Sequence, residues 1–115
     1  GRVITPTGDG VLAALPTPTA AVAAATEIIR ELGSLGLLIR ASIHTGEVER
    51  RGQDIGGIAV NLAARLLDLA GPGEILVSGA VPAITIGSAI EYESRGVHEL
   101  RGVPGRWPVF AARLT

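Results

Sequence analysis

Residues 58–70 constrain the fold more than any other segment of this chain. Ala59, Leu62, Leu66 and Ala70 recur at helical spacing and share one face, the stripe that a helix buries. Gly71-Pro72 follows at once, a glycine suited to a helix C-terminus and then a residue that cannot continue the helix. Upstream, over residues 38–48, the period changes from helical to alternating. Ile39, Ala41 and Ile43 point one way while Arg40, Ser42 and His44 point the other, which predicts a half-buried strand.

The remaining segments fall around these two. Val3-Ile4 and the apolar run 11–15 flank Thr7-Gly8-Asp9-Gly10, and Asp-Gly between apolar runs predicts a hairpin over residues 2–15 with Asp9 at its tip. Thr17-Pro18 reads as a helix N-cap followed by proline at the first helical position. Ala21, Ala24, Ile28 and Leu32 continue as an apolar stripe, and Gly33 closes that helix. Gly46 and Gly52 bracket residues 47–51 as a second hairpin. Residues 74–78 read as a strand, residues 79–86 are ambiguous, and 90–95 and 106–113 read as the closing strands. Pro108 cannot donate to a ladder, which places the last strand at an edge. The order is β-β-α-β-β-α-β-(α)-β-β, an α+β architecture with one antiparallel sheet and helices on one face.

Composition bounds the function. A chain of 115 residues, 47% apolar and 18% charged, is a single globular domain large enough for a real core. Its formal net charge of -1, without a clustered basic face, argues against a nucleic-acid partner. No stretch reaches the roughly 18 apolar residues of a membrane span. With no cysteine there is no disulfide, thiolate metal site or cysteine nucleophile, which is compatible with a cytoplasmic chain. The chain opens at Gly1 on a strand-like segment without an initiator methionine, so it reads as the interior of a longer polypeptide.

Few residues carry chemistry. Asp9 at a hairpin tip can reach a hard cation such as magnesium, though Asp-Gly is also plain turn chemistry. Asn61 and Arg65 lie four apart on the 58–70 helix, about 40° apart around its axis. An amide with donor and acceptor beside a planar guanidinium suits a ribose and a transferring phosphoryl group; an ordinary solvated face is the alternative. Asp54, ahead of Gly56-Gly57, either accepts from an exocyclic amine of a base or caps the helix. His44 and His98 stand isolated and read as structural, and Arg101 beside Gly102 reads as an exposed cation. There is no phosphate loop of the Walker type, since the run 52–57 lacks the Lys-Ser/Thr ending.

Together these residues resemble the class III adenylate and guanylate cyclase catalytic domain in its bacterial form. The run Gly1-Arg2-Val3-Ile4-Thr5-Pro6-Thr7-Gly8-Asp9-Gly10 is similar to that family's second metal-binding hairpin. Ile43-His44-Thr45-Gly46-Glu47-Val48 resembles the strand after the first helix. The most specific match is Asp54-Ile55-Gly56-Gly57-Ile58-Ala59-Val60-Asn61-Leu62-Ala63-Ala64-Arg65. Residues 95–103 resemble the closing strand pair.

The resemblance implies a ferredoxin-like sheet, a purine nucleoside triphosphate substrate (ATP, or GTP), two magnesium or manganese ions, and a homodimer or complementary cyclase subunit. It implies that Asp9 holds metal, Asn61 orients the ribose and Arg65 stabilises the pentavalent phosphorus. Asp54 would select the purine, as in adenylate cyclases, and Arg101 would contact phosphate. The expected reaction gives 3′,5′-cyclic AMP, with cyclic GMP as second choice, plus pyrophosphate. Two departures accompany it. Thr5 stands where adenine-selecting members carry lysine, and the family's first strand, which bears the first metal aspartate and would precede Gly1, is lacking. These departures keep open a second reading, a cyclase-homology module that dimerises or binds nucleotide without turnover.

Overall fold

The computed structural model describes residues 3–7, 10–15, 17–46, 49–51 and 54–114, with side chains described for 15, 17–46 and 57–114. Strands β1 (Val3–Thr7) and β2 (Gly10–Ala14) pair antiparallel with Thr7 opposite Gly10, so the expected hairpin forms, but with Gly10 paired in the strand rather than in the turn where an Asp-Gly signal would put it. Asp9, expected at the tip, lies outside the described residues. Helix α1 (Pro18–Gly33) starts where the cap predicts: Thr17 Oγ1 accepts from Ala20 N at 3.1 Å, and Pro18 follows. The chain turns out of α1 through Gly36, whose φ of 84° favours glycine.

Strand β3 is only Ala41–Ile43, shorter than the alternation over 38–48 suggests. Strands β4 (Glu49–Arg51) and β5 (Asp54–Gly56) form the second hairpin, which therefore extends past Gly52. Helix α2 (Ile58–Leu69) follows, then β6 (Ile75–Ser78). The ambiguous stretch contains a short helix, α3 (Ala80–Ile84), before β7 (Ile90–Glu99) and β8 (Arg106–Leu114).

The main sheet has the order β3-β6-β8-β7. Its α+β class is as expected, but three details are not. First, β3 runs parallel to β6, with Ser42 opposite Leu76, because the long β4–β5–α2 connection returns the chain in the same direction. Second, the helices cover both faces. Leu62 and Leu66 of α2 pack with Leu76, Leu100, Val103 and Val109. Ala25 and Ile29 of α1, with Val81 of α3, pack against Ile75, Val77 and Ala112 on the opposite face. Successive β6 residues thus enter alternate cores, and all four are buried.

Third, β8 is interior, between β6 and β7, despite Pro108. The Pro108 carbonyl accepts from Gly79 N at 2.9 Å, just beyond the end of β6. The nitrogen of a strand residue faces the same side as its carbonyl, so the missing donor points past the last β6 residue, where no ladder acceptor awaits it. Opposite lies Val97, at the edge of an irregularity between Ser94 and Val97. No helix among the described residues is long and apolar enough to cross a membrane.

Candidate functional site

The sequence of α2 sorts itself by face. Leu62 and Leu66 are fully buried, while Ile58, Asn61, Ala64 and Asp68 are exposed and Arg65 is half-buried. Asn61 and Arg65 thus share the outward side of a helix whose inward side is fixed by core packing. The Arg65 guanidinium donates to Asp68 Oδ2 at 3.2 Å within the same helix. Such an exposed pair leaves the cation available to a stronger anionic partner.

The helix begins sharply. Gly57, at the N-cap, has a φ of 105°, a conformation L side chains rarely adopt, and brings no side chain to cap the first turn. Asp54 belongs to β5, opposite Arg51, in a hairpin directly ahead of α2. Thr5 lies in β1 opposite Leu12. For both residues only the backbone is described.

Arg101 is exposed in the connection between β7 and β8. An open cavity of about 480 Å3 lies beside it, bounded by Glu99, Val103 and Arg106. Its neighbours Leu100 and Val103 share a core with Leu62 and Leu66, so this connection packs alongside α2. A larger cavity, about 650 Å3, opens on the α1 face between Ile29, Tyr92 and Ala112. That is the opposite face from α2, so size alone does not identify the site.

Beneath α2 lies a polar cluster. Ser42 Oγ donates to the Ala63 carbonyl at 2.6 Å. His44 Nδ1 lies 2.6 Å from Ser78 Oγ, and its ring meets Trp107 edge-on at 5.9 Å. Ser78 is fully buried, and burial lowers the His44 pKa below its ordinary 6.5. His44 is thus bonded and packed against its neighbours in the fold. His98 likewise bonds locally, its Nε2 2.7 Å from the Arg95 carbonyl. The alternation of β3 placed Ser42 and His44 on one face; nothing in the sequence indicated that Ala63 and Ser78 meet them.

The structure therefore brings Asn61 and Arg65 together on one surface, with Arg101 in a segment packed along the same helix. No protein-family model matches the chain. An adenylate cyclase of Glutamicibacter nicotianae is 39% identical over 88 residues, 75% of this chain and 22% of that protein. A putative adenylate cyclase 3 of Rhizobium meliloti (strain 1021) is 28% identical over 112 residues, 90% of this chain and 19% of its own length. The chain thus spans about a fifth of each of these relatives. A crystal structure of an adenylate/guanylate cyclase/hydrolase from Silicibacter pomeroyi aligns with a TM-score of 0.83 at 28% identity, over 97% of this chain and 72% of that one. Sequence and fold agree along almost the whole length, and the chain is a class III nucleotide cyclase-like domain.

Proposed function

We propose that this domain supplies the ribose- and phosphate-binding half of a purine nucleotide cyclase site, completed by a second subunit. The observation that carries the reading is the outward placement of Asn61 and Arg65 on α2, backed by buried Leu62 and Leu66. In the reaction the ribose 3′-hydroxyl gives its proton to solvent as its oxygen attacks the α-phosphorus of ATP, the bond to the β,γ-phosphates breaks, and pyrophosphate leaves with the pair of electrons. Asn61 would hold the ribose so that this oxygen lies in line. Arg65 would exchange Asp68 for the equatorial phosphate oxygens, whose charge it can hold as a two-pronged donor. Asp54 would accept from the exocyclic amine of adenine, favouring cyclic AMP over cyclic GMP, and Arg101 would bind the departing phosphates.

Divalent metal is used by cyclases in general and would help neutralise that charge. Among the described residues no group of three or more His, Asp or Glu side chains could hold an ion. Asp9 lies outside them, so no step is assigned through a metal.

The test is conversion of ATP and of GTP by the purified chain with manganese. Cyclic AMP should form, and Arg65→Ala should lower the rate by about 10³-fold or more. Mixing Arg65→Ala with Asp9→Ala should restore part of the activity if each site draws on two subunits. A wild-type chain that binds nucleotide but releases no cyclic product would instead establish the module without turnover. Thr5, at the position of the family's lysine, is the feature that favours this second reading.

A further inference from the structure

The hydroxyl of Ser42 reaches across from the sheet to the middle of α2, donating to the Ala63 carbonyl at 2.6 Å. In a continuous α-helix that carbonyl already accepts from residue 67, so Ser42 adds a second donor rather than rescuing an unpaired acceptor. The contact is therefore dispensable for closing the helix. What it adds is direction. The core contacts of α2 with the main sheet, through Leu62 and Leu66, are apolar, and apolar contact resists separation more than sliding or rotation. Gly57, at the N-cap, has no side chain with which to fix the helix at its start. Among the described residues the Ser42 bond is the side-chain hydrogen bond that ties α2 to the sheet.

Ala63 lies midway between Asn61 and Arg65, two residues from each. Two residues along a helix turn it by about 200°, so Asn61 and Arg65 both stand roughly 160° around from Ala63, on the far side of the axis. A tether at Ala63 consequently sets the rotation of the helix at the level where both side chains leave it. Resting on the cyclase reading of that surface, we infer that Ser42 is a positioning residue for Asn61 and Arg65. It touches neither nucleotide nor phosphate, and it acts by holding the helix in one rotational setting. His44 and Ser78, bonded on the same face of the sheet, keep the floor beside it filled.

The substitutions are Ser42→Ala, which removes the donor, and Ser42→Thr, which keeps it. With ATP and manganese, Ser42→Ala should lower kcat about tenfold, since small misplacements of positioned groups are costly, while KM changes less than about twofold. Ser42→Thr should recover most of the loss. Hydrogen exchange at the amides of Ile58–Leu69 should be faster in Ser42→Ala than in the wild type, with the melting temperature nearly unchanged. Wild-type kcat in Ser42→Ala, or a loss confined to KM, overturns the inference. So does a loss that Ser42→Thr shares in full with a lowered melting temperature, which marks a packing defect. If the wild type yields no cyclic nucleotide, the cyclase reading itself fails. Exchange then decides the tether separately: unchanged rates in Ser42→Ala refute it, and faster rates sustain it.

Discussion

Among the described residues Arg65 is held by one exposed polar contact, to Asp68 one turn along the same helix. Pairs of this kind contribute about 0–1 kcal/mol, so Asp68→Ala should leave thermal stability nearly unchanged. If Arg65 serves phosphate, the same substitution should tighten or leave unaltered the binding of a nucleoside triphosphate, measured by calorimetry. Weaker binding would point to Asp68 as more than a resting partner. His44 gives a prediction in pH. Burial disfavours its charged form, so the folded state holds it neutral to lower pH than the unfolded chain does. Its contribution is complete above 6.5, the ordinary value, and is lost as pH falls through the lowered one. Melting temperature should therefore decline below pH 6.5, and His44→Gln should flatten that decline. Gly46 guards the same ring: a Cβ there would lie 3.0 Å from His44 Nε2 and 3.4 Å from Ala59 Cβ. At this scale the four-residue spacing of Asn61 and Arg65 was legible in the sequence. Arg65's pairing with Asp68 and the Ser42–Ala63 bond were not, because each depends on rotamers or on tertiary approach.

The elements differ in how much of their placement is written locally. Helix α1 carries its own start signal, and Thr17→Ala should cost about 0.5–2 kcal/mol, read as a lower melting temperature with the α2 surface intact. Helix α2 has no such cap and depends on packing. Leu66→Ala should cost about 2–5 kcal/mol by leaving a cavity against Leu76 and Val109. On the proposed cyclase reading, activity should fall with it, because the same core supports Asn61 and Arg65. The helical periods and the Asp-Gly hairpin were legible because each rests on contacts within a dozen residues. The place of β8 was not. Reading Pro108 as an edge marker assumed that both neighbours run its full length, whereas β6 ends at Ser78, just short of it. Gly79 illustrates how closely that end is fitted: a Cβ there would meet the Pro108 ring at 3.1 Å, so Gly79→Ala should destabilise the chain.

Across the whole molecule, the sheet is covered by α1 and α3 on one side and α2 on the other. The continuous apolar run of β6 is the trace of that burial in the sequence, and it could not say which helix covers which face. Glu74 binds the layers at one end, accepting from Gly71 N at 2.7 Å and from Arg95 of β7. The Arg95 bond, then the Gly71 amide, hold its carboxyl below the usual range. Its contribution persists above the ordinary 4.5 and disappears as pH drops through the lowered value, a second acid transition that Glu74→Gln should remove. The parallel pairing of β3 with β6 has a kinetic side. Ser42 and Leu76 meet only after the intervening 43–75 stretch has looped back, a closure that is entropically slow compared with forming a hairpin or helix. Asn61 and Arg65 ride inside that loop. Their working arrangement should thus be among the last things this chain acquires as it folds and among the first it surrenders under denaturant.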